Sequence, residues 1–228
     1  ALIRQIVDGH GVTGMRDNVV WGYYISNFVY FIGVSYAGAM LAGFLYYFKV
    51  PWGRPIIRIA TLMALITGII GPIFILLCIG RFDRLHYLFI HARVQSPITW
   101  DVMVISTYLV GIIVFAYLML IKDMAIYRDA TELRYPAWKG KLYRALSLGY
   151  KGTAKQDEEL AESTQSMSLI MVPKVILAFA VLSWIFGMTL RPGWHSTIFG
   201  PSFVISSIAT GIGLIIGLMW VYRRLYGL

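Results

Sequence analysis

Four side chains that can bind or move a proton fall at one predicted level of this chain. The segment Cys78-Ile79-Gly80-Arg81-Phe82-Asp83-Arg84-Leu85-His86 closes one apolar run, and Ser96-Pro97-Ile98-Thr99-Trp100-Asp101 opens the next. Arg81, Asp83, His86 and Asp101 are thereby expected at a common edge. After Asp101 the chain runs on through Val102, Met103, Val104 and Ile105 with no further charge. A carboxyl group in that position is partly desolvated, which favours its protonated form, whereas a nearby guanidinium favours the charged form. Such a group can take up or release a proton near neutral pH. An acidic residue at a helix start can equally cap the helix and pair with an arginine. The residues alone leave both roles open for Asp101.

Other polar groups are sparser. The run that contains Asn27, Ser35 and Tyr36 is otherwise apolar. The Tyr36 hydroxyl could donate to a ligand carbonyl or to a neighbouring backbone oxygen. His86 and His91 could be ligands or proton carriers, although a loop histidine is more often neither. A b-type haem needs axial histidines on facing helices. His10, His86, His91 and His195 all lie outside the apolar runs. The single cysteine, Cys78, excludes a disulfide framework and a cysteine-ligated cluster built within this chain alone. No GxGxxG, P-loop or zinc-ligand spacing occurs. The expectation is no haem and no metal in this chain.

The elements that must position these groups are five apolar runs, near 21–50, 56–80, 100–121, 168–190 and 202–222. About 20 helical residues cross a hydrocarbon core of about 30 Å. The 228 residues are 58% hydrophobic and 14% charged, with mean hydropathy +0.70, more apolar than a soluble core of this size requires. The chain therefore reads as an all-α integral membrane protein of about five transmembrane helices around a four-helix-bundle-like core. Small residues recur four apart at Gly33/Ala37, Gly38/Ala42 and Gly213/Gly217, which lets helix backbones approach closely. Pro72 and Pro173 should kink the second and fourth spans.

The net charge of +9 is assigned to topology and anionic lipid headgroups rather than to nucleic acid, because no basic stripe lies outside the loops. One side carries Arg4, Arg16, Arg81, Arg84, Arg93 and Arg191. The other carries Lys49, Arg54, Arg58, eight basic residues between Lys122 and Lys155, and Arg223 and Arg224, about twice as many. Positive residues stay in the cytoplasm, so the N-terminus is expected outside, in the periplasm of a bacterium with the chain in its inner membrane. The organisation expected is a single membrane domain over 1–222, with a periplasmic segment 1–18, a cytoplasmic loop 122–167 and a cytoplasmic end 223–228. The loop mixes charges of both signs. It is read either as a solvated connector or as a docking surface for a cytoplasmic partner. A start at Ala1, with neither methionine nor signal peptide, is read as processing or as part of a longer protein.

Several segments together, in this order, resemble a known family. They are Gly11-Val12-Thr13-Gly14-Met15, Trp21-Gly22-Tyr23-Tyr24-Ile25-Ser26-Asn27-Phe28, Gly80-Arg81, the stretch from Ser96 to Asp101 with Ser106-Thr107-Tyr108, Leu142-Tyr143-Arg144-Ala145-Leu146-Ser147-Leu148-Gly149, and Pro192-Gly193-Trp194-His195-Ser196-Thr197-Ile198-Phe199. The set resembles the NrfD/PsrC family of quinone-interacting membrane subunits, with the greatest likeness to the large membrane subunit of alternative complex III. The resemblance implies two helical bundles, of which this chain matches the first. A preceding helix and the second bundle would be missing from it. It further implies quinol or quinone (menaquinone or ubiquinone) as substrate, bound near the periplasmic side. Electrons would pass to an iron–sulfur subunit and a multihaem cytochrome c or other periplasmic redox subunit, beside further membrane subunits.

By that likeness Asp101 corresponds to the acidic residue of the family's tryptophan–aspartate motif. The expected site is Asp101 and His86 for catalysis, Tyr36, Arg81, Trp100 and Asn27 for quinone binding, and Asp83 on the proton route. The chain departs from the family pattern where histidines are replaced by Tyr36, Cys78 and Phe179. His86 could take over part of their role, or the chain could be a non-catalytic anchor. The loop charges yield a direct test of topology. A Gly140→Cys variant in intact cells should resist a membrane-impermeant thiol reagent and react once the membrane is opened, and labelling of intact cells would reverse the assignment.

Overall fold

Lipid offers no partner for a free backbone N–H or C=O, so an apolar run must close its hydrogen bonds within itself as a helix. The computed structural model describes residues 2–16, 21–79, 85–130, 136–189 and 197–227, and it is helical over all five runs. In chain order the helices are α1 (Leu2–Asp8), α2 (Tyr23–Tyr47), α3 (Arg54–Ile79), α4 (Tyr87–Ile90), α5 (Pro97–Asp129), α6 (Ala137–Leu146), α7 (Ala154–Gly187) and α8 (Phe199–Tyr226). Of these α2, α3, α5, α7 and α8 are long and apolar enough to cross a membrane. The all-α membrane class and the five helices agree with the sequence reading. Both α3 and α7 continue through their prolines.

Four of the long helices close a ring: α2 packs on α3, α3 on α5, α5 on α7, and α7 on α2. The expected four-helix core is thus present, with α2 and α5 facing each other across its diagonal. Helix α8 lies outside the ring against α2, α7 and α3. As a result α2 is enclosed from several sides, and residues 32–39 are all buried. The starts of α2 and α5 and the ends of α3 and α7 share one end of the bundle, here called the Asp101 end.

Small residues set the approach of α2 to its neighbours. A Cβ on Gly33 would lie 2.5 Å from Ser207 Oγ, and one on Gly38 would lie 3.0 Å from the Ala60 carbonyl oxygen. The buried face of α8 is Phe203, Ser207, Gly211 and Ile215, one residue per turn. Gly213 and Gly217 have the same spacing but face away, and a Cβ on either meets nothing within 4 Å. Within this chain the close approach of α8 is made by Gly211.

The segment 122–167, read from sequence as a loop, is mostly helix. Helix α5 runs on to Asp129 and α7 begins at Ala154, so the connector is 130–153 with α6 inside it. Helices of 33 and 34 residues are about 50 Å long and outrun the hydrocarbon core. Their charged ends are tied together there. Lys122 pairs with Asp157, which also accepts from the Tyr150 hydroxyl, and Arg58 meets Asp123 at 3.2 Å. The Arg128 guanidinium donates to Ser147 Oγ at 3.0 Å and to the Tyr150 carbonyl at 2.9 Å. At the start of α7, Thr153 Oγ1 accepts from the Gln156 N–H at 3.3 Å.

Gly211→Ala should force α8 off α2, because the added Cβ would stand 2.5 Å from the Ala37 Cβ. Overpacking of this kind costs about 1–3 kcal/mol. A lowered Tm in detergent is expected, with Gly213→Ala as a near-silent control. Equal Tm values for the two variants would mean that α8 is not seated as described.

Candidate functional site

The diagonal of the ring is closed by aromatic rings. Tyr36 of α2 and Tyr108 of α5 are fully buried and meet edge-to-face at 4.7 Å between centroids. Each lies more than ten residues from the start of its helix, so about 15–20 Å from the Asp101 end. Ser35 joins three helices at this level. Its hydroxyl donates to the Ala64 carbonyl of α3 at 2.6 Å, so its oxygen is left to accept from the Tyr108 hydroxyl, also at 2.6 Å. Gly68 permits the junction, since a Cβ there would lie 2.7 Å from Ser35 Oγ.

Two polar atoms inside this frame are left over. The Tyr36 hydroxyl and Asp101 Oδ1 are buried with no hydrogen-bond partner among the described residues. Asp101 is 6% exposed and sits on the buried face of α5 with Val104, Ile105 and Tyr108, two turns nearer the end than Tyr108. Tyr36 and Asp101 both lie on the buried faces of their helices, inside the ring. A buried, unsatisfied polar group costs about 1–3 kcal/mol and calls for an explanation. A phenol that can donate and a carboxyl that can accept, placed along one buried face, suit a polar ligand or water held between helices.

The far side of Tyr36 is walled by Phe179, at 5.2 Å between ring centroids. Phe179 also lines a lateral apolar cavity of about 570 Å³ between α2, α7 and α8, together with Met40, Ile176, Ser183, Trp184 and Val204. Rings continue from Phe179 through Phe203 and Phe199 to Phe186 and Trp21.

Of the residues selected from sequence, Asp101 and Tyr36 face this interior. Helix α5 starts at Pro97, so Asp101 stands beyond the first turn, past the N–H groups that a cap serves. Trp100 is 52% exposed, and its indole Nε1 donates to the Val94 carbonyl at 2.6 Å. Asn27 is half-buried and donates to the Tyr23 carbonyl at 2.8 Å, on the opposite face of α2 from Tyr36. His86 is exposed and packs edge-on against Tyr87 at 4.3 Å. Arg81 and Asp83 lie outside the described residues. Among the described residues no three potential metal ligands converge.

Sequence reasoning passes over two residues that the structure brings forward. Tyr108 stood in the sequence only as part of the Ser106-Thr107-Tyr108 likeness, with no role, and its partner Ser35 is 73 positions away. Lys174 had a plain one, a lysine within the apolar run 168–190. Its ammonium donates to the Thr107 carbonyl at 2.8 Å on the outer surface of α5 and α7.

The family described as "Polysulphide reductase, NrfD" matches residues 11–226. The chain belongs to the NrfD family. It is 28% identical over 210 residues to a Halobacterium salinarum protein named as a putative membrane subunit of dimethyl sulfoxide reductase, across 91% of this chain and 45% of the relative. It is 22% identical over 226 residues to a Mesobacillus selenatarsenatis protein named as a subunit of selenate reductase, across 95% of this chain and 51% of the relative. The chain thus spans about half the length of the curated relatives it matches. In this NrfD-family chain the match takes in all five long helices, and so the whole Tyr36–Asp101 interior.

The Ser35 junction predicts an order of stabilities. Tyr108→Phe removes a donor and leaves Ser35 bonded to Ala64, at a cost of about 1 kcal/mol. Ser35→Ala strands the Tyr108 hydroxyl and should cost more, about 1–3 kcal/mol. Thermal melts of the purified protein check the order, and the reverse order would dissolve the junction.

Proposed function

We propose that this chain is a membrane subunit of a respiratory oxidoreductase complex, embedded in the cytoplasmic membrane with its N-terminus periplasmic. In this reading it binds quinol or quinone near the periplasmic end of the bundle, the Asp101 end. Electrons pass to iron–sulfur or cytochrome partner subunits. Membership of the NrfD family supports the reading, as do two relatives named as subunits of a dimethyl sulfoxide reductase and a selenate reductase. The observation that carries it is the orphaned pair, Tyr36 hydroxyl and Asp101 Oδ1, inside a wall of aromatic rings.

A quinone head presents two carbonyl oxygens, and a quinol presents two hydroxyls. The Tyr36 hydroxyl donates to one oxygen of the head, and Asp101 accepts a proton from the quinol hydroxyl. Oxidation of quinol releases two electrons and two protons. The electrons leave to a partner, since this chain offers no redox centre in the reading. Asp101 is the first base for the two protons in turn, and His86, exposed near the same end, returns each to water, with Asp83 on the exit. Arg81 and Trp100 complete the binding rim, whereas Asn27, turned to the opposite face of α2, takes no part in it. The apolar lateral cavity behind Phe179 suits an isoprenoid tail, with about 570 Å³ of room.

A second reading is a non-catalytic anchor for the same partners. It is favoured by the contact of Tyr36 with Phe179 at 5.2 Å, which fills interior space with rings. Asp101→Asn separates the two, for it keeps shape while removing the titrating oxygen. The expected result is an assembled complex whose quinol oxidation falls about 10²-fold or more, the scale of a lost acid–base group. Wild-type turnover in an assembled Asp101→Asn complex would end the catalytic assignment of this carboxylate. Purified complex that carries no quinone detectable by absorbance after extraction would favour the anchor.

A further inference from the structure

The outer seam of α5 and α7 carries a charge that no lipid can satisfy. Lys174 stands 13 residues before the Gly187 end of α7, about 20 Å along its axis. Its ammonium is bonded to Thr107, which lies six residues past Asp101 and 15 before Lys122, about 9 Å and 22 Å from those polar boundaries. A lysine side chain reaches about 6 Å and near a helix end snorkels to the interface. Lys174 does not. Its amine is turned onto α5 and held at depth, and its stem lies 3.6 Å from where a Gly111 Cβ would stand, so the missing side chain makes its bed.

An ammonium has three donors, and among the described residues Lys174 finds one acceptor. Thr107, Met103 and Val110 of α5 and Ile170 and Leu177 of α7 are exposed around it. Pro173, the preceding residue, leaves the Leu169 carbonyl, little more than one turn away, without its i+4 donor. Intramembrane lysines almost always face protein or a water-filled cavity and pair with an opposite charge or with backbone carbonyls, and the Thr107 carbonyl occupies one of the three donors here.

From this we infer that the Lys174 seam is covered by a transmembrane helix that presents an aspartate or glutamate to the ammonium at this depth. That carboxylate does not come from residues 1–228. Of their 11 acidic residues only Asp101 falls within the five apolar runs of the sequence, at the mouth of its run, and it faces the bundle interior. A second copy of these residues therefore cannot supply it. The inference is independent of quinol chemistry.

The test uses the assembled complex in native membranes. Leu177→p-benzoylphenylalanine, with Lys174 intact, should give a photo-adduct to polypeptide that maps to a transmembrane segment containing an acidic residue. Lys174→Met should lower the yield of assembled complex by about tenfold, for it strands the partner's buried charge, and Lys174→Arg should restore it. Neutralising the mapped carboxylate should rescue Lys174→Met. Adducts to lipid alone, to a second copy of residues 1–228, or to a segment without an acidic residue each overturn the inference. So does wild-type assembly of Lys174→Met.

Discussion

One hydroxyl holds the frame of this bundle. Ser35 has a single proton, and the Ala64 carbonyl takes it, so its oxygen can only accept from Tyr108. Helices α2, α3 and α5 are locked at one level by two short bonds, and α5 is drawn across the diagonal rather than along an edge of the ring. The rest follows by helical geometry. The next residue, Tyr36, turns about 100° away and meets Tyr108 on one side and Phe179 on the other. Asp101, two turns from Tyr108 on the same face, is carried into the interior with it. Gly68 is the condition for all of this, because any side chain there would occupy the space of the Ser35 oxygen.

Several hydroxyls in the spans are silenced by their own helix. Thr61, Thr67, Thr164 and Ser183 each donate to the carbonyl four residues earlier. A short hydroxyl can do this, and in lipid it must. Tyr36 cannot, since its hydroxyl is carried past the preceding turn on a rigid ring. An ionised Asp101 cannot either, since it has only acceptors. Of the buried atoms left without a partner among the described residues, the Tyr36 hydroxyl and Asp101 Oδ1 thus belong to side chains whose shape or charge denies them a local one. A sequence can place such residues in a span only where something else answers them.

The five spans were legible because length and apolarity alone decide them. Asp101 was legible for the converse reason, as a charge at the mouth of an uncharged run. The segment 122–167 was not, because charge was read as loop. Thr153 followed by Gln156 three residues later is a helix-start signature, and it stood in the sequence unused. The pairing of small residues was readable on α2 and misleading on α8, where period four does not say which stripe is buried. Gly211 lies two positions from Gly213 yet on another face. Tyr108 and Ser35 each stood out in the sequence but could not be paired from it, since nothing there links uncharged residues 73 positions apart.

Charges at the far end of the bundle neutralise one another across helices, as Arg58 does with Asp123 and Lys122 with Asp157. Asp101 and Lys174 do not do the same. Asp101 and Thr107 are six positions apart on α5, about 240° around the helix, so the carboxyl looks inward and the Lys174 ammonium is held outside. Helix α5 itself stands between them. A pair that could have cancelled is instead divided into an inner acceptor and an outer donor. Each therefore needs a partner from beyond the ring, and the fold exposes one demand to its interior and the other to its surroundings.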